Sequence, residues 1–291
     1  MRRSPGWCAT VGRVLTDDRL REIADQLVAV PGMVGVMLGG SRARGEQSTD
    51  SDVDLGLYYR RPLDIPALRG LAQVVAGAAT ELTELGAWGH WVDGGGWLTI
   101  DGMAVDWLYR DLDRVHESWR QAQAGQLDFH FQVGHPLGVP GFAYAGEVAL
   151  GVVLADPQGE LSVLRQQAAV YPPLLAEAMV SRLDEARFVL GAVRKTADRG
   201  DVTYLAGCLF RVLGLSAYAL HAAAHRWVVN EKGAIDSAGR LSVAPPRFSE
   251  RAHGILARLG SRPEQLHASL TAAEQLVDEV AASCQPLGRH S

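Results

Sequence analysis

The sequence predicts an α+β fold, with a mixed β-sheet and flanking helices in the N-terminal part and an α-helical bundle in the C-terminal part. Two observations carry this prediction. Before residue 110, short apolar runs of strand length alternate with Gly-rich turns and helical segments. After Asp156-Pro157, long segments repeat apolar residues at helical spacing. We therefore expect two domains, residues 1–156 and residues 157–291.

The first predicted helix begins at Thr16, a residue type that caps helices, and ends before Pro31-Gly32. Its first turn is acidic, and apolar residues follow at helical spacing. Val34–Leu38 is then a short apolar run that stops at a Gly pair, which is typical of a buried strand ending in a tight turn.

Gly39, Gly40 and Ser41 follow directly on that strand. The glycines let the backbone approach a ligand closely, and residues 41–47 are predicted to form one or two helical turns. A strand, a Gly turn and a helix start direct unpaired backbone N–H groups toward one point. This arrangement predicts a phosphate site.

Asp52 and Asp54 open the second predicted strand, residues 53–59. Side chains two apart on a strand face the same side, so both carboxylates project together. Two like charges at that spacing are unfavourable unless a cation lies between them, and such oxygen ligands suit Mg²⁺. Each piece alone has an ordinary alternative, since Gly-Gly-Ser forms common turns and Asp often caps helices. Together they predict a phosphate site joined to a Mg²⁺ site.

A hairpin is predicted next. Asp101-Gly102 is a strong two-residue turn signal, and it joins strands at residues 97–100 and 103–109. Before it, Leu63–Leu85 is predicted to be helical and His90–Val92 to be a short strand.

Asp106 lies within the second strand of that hairpin, between Val105 and Trp107. An acidic residue among apolar neighbours is costly unless it meets a metal or a partner. The alternative is an edge-strand Asp that faces water. Asp106 is therefore a candidate third carboxylate of the site.

Residues 114–156 are predicted to form an ordered connecting loop, because they are rich in Gly, Pro and aromatic residues. Glu147 within it is a candidate general base for an acceptor hydroxyl. An ordinary glutamate on a helix surface is the alternative.

The C-terminal part is predicted to be a bundle of about four helices. Their ranges are residues 174–199, 202–229, 250–259 and 262–284. Asp201 and Ser261 are predicted N-caps, the second in a capping box with Glu264. Lys232, after a long apolar helix, could contact a triphosphate, although basic residues also favour helix C-termini for dipole reasons.

Composition narrows the function classes. The formal net charge is −5, without long single-sign runs, which disfavours a dedicated nucleic-acid binder. Three scattered cysteines show no disulfide or zinc spacing. We see no signal peptide and no apolar stretch of membrane-spanning length, so we expect a cytoplasmic protein without a membrane partner.

The turn GGSRARG followed by the strand SDVDLGLYY resembles the signature of the polymerase-β-like nucleotidyltransferases, in which Gly-Gly or Gly-Ser precedes Asp-x-Asp. The resemblance implies an N-terminal sheet of nucleotidyltransferase type. It also implies transfer of a nucleoside monophosphate from an NTP, with ATP expected, to an acceptor hydroxyl with release of pyrophosphate. In length the chain is similar to nucleotidyltransferases that act on small molecules such as aminoglycosides and lincosamides.

The resemblance also assigns roles to individual residues. Two Mg²⁺ ions would be held by three carboxylates, those of Asp52, Asp54 and Asp106. The triphosphate would be held by the turn and the basic residues after it, Gly39, Gly40, Ser41, Arg42 and Arg44.

Three questions stay open on the sequence alone. The acceptor is expected to be a small molecule such as an antibiotic, but a nucleotidyltransferase that modifies protein or RNA, as in toxin–antitoxin systems, shares the same motif. A catalytically degenerate nucleotide-binding regulator is the non-enzyme alternative. A homodimer is a further expectation from the resemblance.

Overall fold

The computed structural model describes residues 15–43, 45 and 52–285. Contacts divide the chain into two compact units. The first unit consists of Met1–Val115 with Leu150–Gln167, and the second consists of His116–Ala149 with Ala168–Ser291. The predicted boundary between two domains, after residue 156, stays a prediction.

The described residues form both strands and helices, which confirms the α+β prediction. The strands are β1 (Met33–Leu38), β2 (Val53–Tyr59), β3 (Gly95–Ile100), β4 (Met103–Asp111), β5 (Phe129–Gln132), β6 (His135–Pro140) and β7 (Val152–Ala155). The helices are α1 (Asp17–Leu27), α2 (Gly40–Ala43), α3 (Ile65–Ala76), α4 (Leu112–Gln123), α5 (Ala143–Leu150), α6 (Glu160–Ala168), α7 (Pro173–Ser181), α8 (Leu183–Asp198), α9 (Val202–Ala223), α10 (Ala234–Gly239), α11 (Phe248–Ala257) and α12 (Pro263–Cys284).

The first unit is built on a five-stranded sheet with the order β3-β4-β2-β1-β7. β2 and β4 run parallel, whereas the other neighbouring pairs are antiparallel. The sheet is therefore mixed, as predicted. Strand β7 lies in the region that was predicted to be a loop, and it pairs with β1 at the edge of the sheet.

Helix α1 forms as predicted and packs on this sheet. The Thr16 hydroxyl accepts a hydrogen bond from the Arg19 backbone N–H at 3.2 Å, so it caps the helix. The apolar stripe of α1 is fully buried at Leu20, Ile23 and Leu27. Burial of this stripe against the sheet stabilises the helix more than its intrinsic propensity does.

The hairpin prediction is also confirmed. Asp101 and Gly102 both have positive φ, 51° and 83°, as a two-residue hairpin turn matched to strand twist requires. Asp101 also accepts a hydrogen bond from the Arg19 side chain at 3.1 Å, which ties the turn to α1.

Two local predictions in this unit are wrong. The helix predicted over Leu63–Leu85 ends at Ala76, because Gly77 adopts the left-handed conformation (φ 65°) that terminates helices. Residues His90–Val92 form turns rather than a strand, with one isolated bridge between Gly89 and Asp93. The apolar residues of that short run had suggested pairing, but no neighbouring strand extends it within the described residues.

The connecting region is also different from the predicted loop. Residues 112–155 form two helices, a hairpin of β5 with β6, and strand β7. Apolar residues at Leu112, Val115, Trp119 and Ala122 lie at helical spacing and are buried. That spacing is the signal for α4, which the Gly and Pro residues farther along obscured.

The second unit is mainly helical, as predicted, but its helix boundaries differ. The predicted 174–199 helix is two helices, α7 and α8, which meet at Arg182, whose backbone N–H bonds to the Met179 carbonyl. Asp201 caps α9 by accepting from the Tyr204 N–H at 3.1 Å, as expected. Ser261 does not cap α12, because Arg262 is the residue that precedes it.

Helix α9 lies at the centre of this unit. By length and composition it could cross a membrane, in contrast to the prediction that the sequence contains no stretch of that kind. However, 72% of its most apolar 18-residue stretch is buried within the fold. A central helix packed on all sides has the same composition, so its apolar character is explained by the core.

Candidate active site

The site begins at the turn between β1 and α2. The Gly39 backbone N–H donates to the Asp54 carbonyl at 2.8 Å, so the turn is fixed against the start of β2. The predicted helix at residues 41–47 is a single turn in the described part, Gly40–Ala43. Ser41 lies in that turn and is half-buried.

Gly40 is required here for two separate reasons. Its φ of +63° lies in the left-handed region that disfavours residues with a Cβ. In addition, a Cβ at Gly40 would lie 1.8 Å from Oδ2 of Asp54, far inside contact distance. The turn therefore places its backbone directly against a carboxylate of the Asp pair.

The sheet brings two of the three predicted carboxylates side by side. Asp54 on β2 is the register partner of Asp106 on β4. Paired residues on neighbouring strands have side chains on the same face, and neighbouring strands are about 4.8 Å apart. The flanking Val53, Val105 and Trp107 are fully buried, so the two aspartates occupy the opposite, more open face. Asp52 lies just before β2 and is exposed.

The carboxylates influence one another electrostatically. Burial, and then the negative charges of Asp54 and Asp52, raise the pKa of Asp106 to about 6. A cation between these groups would offset both causes. No group of three His, Cys, Asp or Glu side chains in the described ranges is already arranged around a common metal position. The aspartates nevertheless offer carboxylate oxygens, and oxygen ligands are what a hard cation such as Mg²⁺ requires.

Of the two predicted phosphate-binding arginines, Arg42 lies within the described residues. Its guanidinium donates to the Leu15 carbonyl and lies 3.9 Å from the Asp17 carboxylate. Its side chain is only 15% exposed. Arg42 therefore connects the turn to the start of α1. Arg44 lies outside the described residues.

The two remaining predicted site residues belong to the second unit. Glu147 is half-buried on α5. Lys232 is exposed between α9 and α10, and its backbone N–H bonds to the Asn230 side chain at 3.0 Å. Their roles as general base and triphosphate ligand stay predictions.

One residue beside the carboxylates was missed by the sequence analysis. Trp97 on β3 is the register partner of Asp106, so its indole shares the open face with that carboxylate. The signal was present, because a two-residue turn at Asp101-Gly102 fixes which residues face each other along the hairpin.

Comparison with known proteins identifies part of the chain. Residues 18–101 match the nucleotidyltransferase domain family. The matched range contains Gly40, Asp52 and Asp54, and ends before Asp106. No curated protein matches the chain.

Among solved structures, the chain matches the crystal structure of a nucleotidyltransferase-like protein from Exiguobacterium sibiricum. The TM-score is 0.47 at 14% sequence identity, over 92% of this chain and 76% of that one. The match to residues 18–101, a range that contains the Gly-Gly-Ser turn and the Asp pair, confirms the predicted resemblance to nucleotidyltransferases of the polymerase-β-like superfamily.

Proposed function

We propose that the protein is a Mg²⁺-dependent transferase that moves a nucleoside monophosphate from an NTP, with ATP preferred, to the hydroxyl of a small-molecule acceptor. The domain match supports nucleotidyl transfer in general. The observation that carries the Mg²⁺ part of the proposal is the pairing of Asp54 with Asp106 next to the Gly40 turn, whereas ATP and the small-molecule acceptor are proposed from the resemblance. Such a transfer needs carboxylates that can hold metal ions and a backbone turn that can bind phosphate, and both are found here in one unit.

The carboxylates of Asp52, Asp54 and Asp106 would hold Mg²⁺, which supplies charge neutralisation for the triphosphate and makes the acceptor hydroxyl more acidic. The Gly40 backbone N–H and the Ser41 hydroxyl would bind phosphate oxygens, while the Gly39 N–H, which is bonded to the Asp54 carbonyl, would hold the turn in place.

In the reaction, the acceptor oxygen bonds to the α-phosphorus and the bond from that phosphorus to the bridging oxygen breaks. Pyrophosphate leaves, and the proton of the hydroxyl passes to a base, for which Glu147 is the proposed residue. Phosphoryl transfer depends mainly on positioning and on stabilisation of negative charge. Loss of one carboxylate should therefore be close to fatal.

The test is calorimetric titration of ATP, GTP, CTP and UTP into the protein, with and without Mg²⁺. We expect Mg²⁺-dependent binding of at least one NTP, and its loss in the Asp52→Asn, Asp54→Asn double variant. Asp25→Asn is a matched control, because Asp25 is an exposed aspartate on α1 in the same unit. Wild-type protein that binds no NTP, or a double variant that binds as well as wild type, would count against the proposal.

Turnover gives a second test once an acceptor is found. Asp54→Asn should keep the fold and retain less than about a tenth of wild-type transfer, because Asp54 would hold an ion that supplies charge neutralisation for the triphosphate. The partner predictions need separate measurements. Sedimentation would test the proposed homodimer. Labelling with ATP that is radioactive at the α-phosphate, the group that is transferred, would show whether the acceptor is a small molecule, a protein or RNA.

A further inference from the structure

Trp97 is an unusual residue for the edge of a sheet. It lies on edge strand β3 and is 70% exposed. Its ring stacks on Trp88, with ring centroids 4.6 Å apart and an interplanar angle of 27°. Exposing so large an apolar ring to water is unfavourable, so a ring held rigid yet left uncovered suggests a partner that covers it.

The register of the sheet places this ring next to the candidate active site. Trp97 on β3 is paired with Asp106 on β4, and Asp106 is paired with Asp54 on β2. Alternation along β3 agrees, since Leu98 on the other face is buried. The open face therefore carries a row of Trp97, Asp106 and Asp54, with neighbouring members on strands about 4.8 Å apart.

The order of the strands separates the two ends of this row. The Gly40 turn follows β1, which lies beside β2 on the side away from β4. Trp97 lies on β3, beyond β4 at the other end. A triphosphate held at the Gly40 turn would approach the carboxylates from the β1 side. Trp97 then lies on the opposite side, which leaves that side to the acceptor.

We propose that the Trp97–Trp88 pair is a stacking platform for the acceptor, and that the acceptor carries an aromatic ring close to the hydroxyl that reacts near Asp106. This inference rests on the proposed function and names the chemical class of its acceptor. Stacking of a flat ring on an exposed indole contributes a sizeable share of the affinity of a small ligand. It also fixes the ring plane, which orients a hydroxyl attached nearby.

The alternative ligand for the same platform is the base of the NTP, which also has a flat ring. The strand order favours the acceptor, because the base would have to reach across both aspartates from the Gly40 turn. Separate measurements of affinity for the ATP analogue and for an aromatic probe distinguish the two ligands.

The probe is phenyl β-D-glucopyranoside, which joins an aromatic ring to several hydroxyls, and methyl β-D-glucopyranoside is its ring-free counterpart. Each is titrated into full-length protein that holds Mg²⁺ and α,β-methylene ATP, with calorimetry and tryptophan fluorescence as readouts. The variants are Trp97→Ala and Trp97→Phe. Phe131→Ala is the control, because Phe131 is also an exposed aromatic residue on a strand, 89% exposed on β5.

We expect the phenyl compound to bind at least tenfold more tightly than the methyl compound. Trp97→Ala should weaken phenyl binding about tenfold, whereas Trp97→Phe, which keeps a flat ring, should stay within about threefold of wild type. The control should bind as wild type does. Affinity for the ATP analogue should be unchanged in all variants, and quenching by the phenyl compound should be smaller in Trp97→Phe.

Three results would overturn the proposal: equal binding of the two probes, unchanged phenyl binding in Trp97→Ala, or a loss of ATP-analogue affinity in that variant with no change for the phenyl compound. The last result would assign the platform to the base. Failure of the wild type to bind the ATP analogue with Mg²⁺ is a different outcome, because it counts against the proposed function itself.

Discussion

Replacing Asp106 with asparagine should stabilise the protein at neutral pH. Asn has nearly the same shape as Asp but carries no charge. In the folded protein, burial and the charges of Asp54 and Asp52 raise the pKa of Asp106 from 3.8 to about 6. At neutral pH the wild-type protein therefore keeps a carboxylate ionised in a place that disfavours its charge, and the substitution removes that cost.

The size and sign of the effect follow from this pKa. A shift of about 2 units corresponds to about 3 kcal/mol, since each unit is 1.36 kcal/mol. Asp106 is only half-buried, so solvent screening reduces this to about 1 to 1.5 kcal/mol. Because the folded state binds the proton more tightly, the free energy of unfolding falls as pH rises from about 4 to about 6. The cost of the charge is complete above pH 6 and absent below pH 4.

The assay is thermal unfolding of wild type and Asp106→Asn at several pH values with EDTA present. We expect the variant to melt about 3 to 5 °C higher at pH 7.5 and at the same temperature as wild type near pH 4. Adding Mg²⁺ should stabilise the wild type more than the variant and so narrow the difference. Asp25→Asn should show no such pH-dependent gain. A variant no more stable than wild type at pH 7.5, or a gain that persists at pH 4, would refute the reasoning.

Three further substitutions test other parts of the first unit. Gly40→Ala should weaken Mg²⁺-dependent ATP binding at least tenfold in calorimetry, because its Cβ has no space, whereas Gly77→Ala, at φ 65° but with open space, should bind normally. Tyr59→Phe removes the hydroxyl that donates to the buried Asp93 carboxylate at 2.5 Å, and urea denaturation should show a loss of about 2 kcal/mol. Arg42→Ala should lower stability by about 1 kcal/mol and change ATP affinity less than threefold, because this side chain binds the start of α1. A tenfold loss of ATP affinity with unchanged stability would instead make Arg42 a phosphate ligand.

Local chemistry made several elements predictable. Thr16 marks the start of α1 because its side chain can satisfy a backbone N–H that the helix leaves unpaired. The strand after Asp52 was predicted with its observed bounds, since an apolar run between polar residues can hardly be placed otherwise. Asp101-Gly102 specifies its hairpin because few residue pairs accept two positive φ angles.

Elements whose signals conflicted were predicted less well. In residues 112–155, glycine and proline suggested a loop, but the chain forms helices and strands there. Strand β7 is only four residues long, and β1 supplies its hydrogen-bond partners. A strand this short is defined by its neighbour and not by its own sequence.

The sequence by itself determined the Gly40 turn, the Asp52 and Asp54 pair, and even the pairing of Trp97 with Asp106, because a tight turn of fixed length sets the register of a hairpin. Only the tertiary structure decided that Asp54 lies beside Asp106. Strands β2 and β4 are parallel and are joined by a long connection, so no local turn sets their register. Burial of the apolar faces of both strands in one core sets it instead, and that burial brings the carboxylates together.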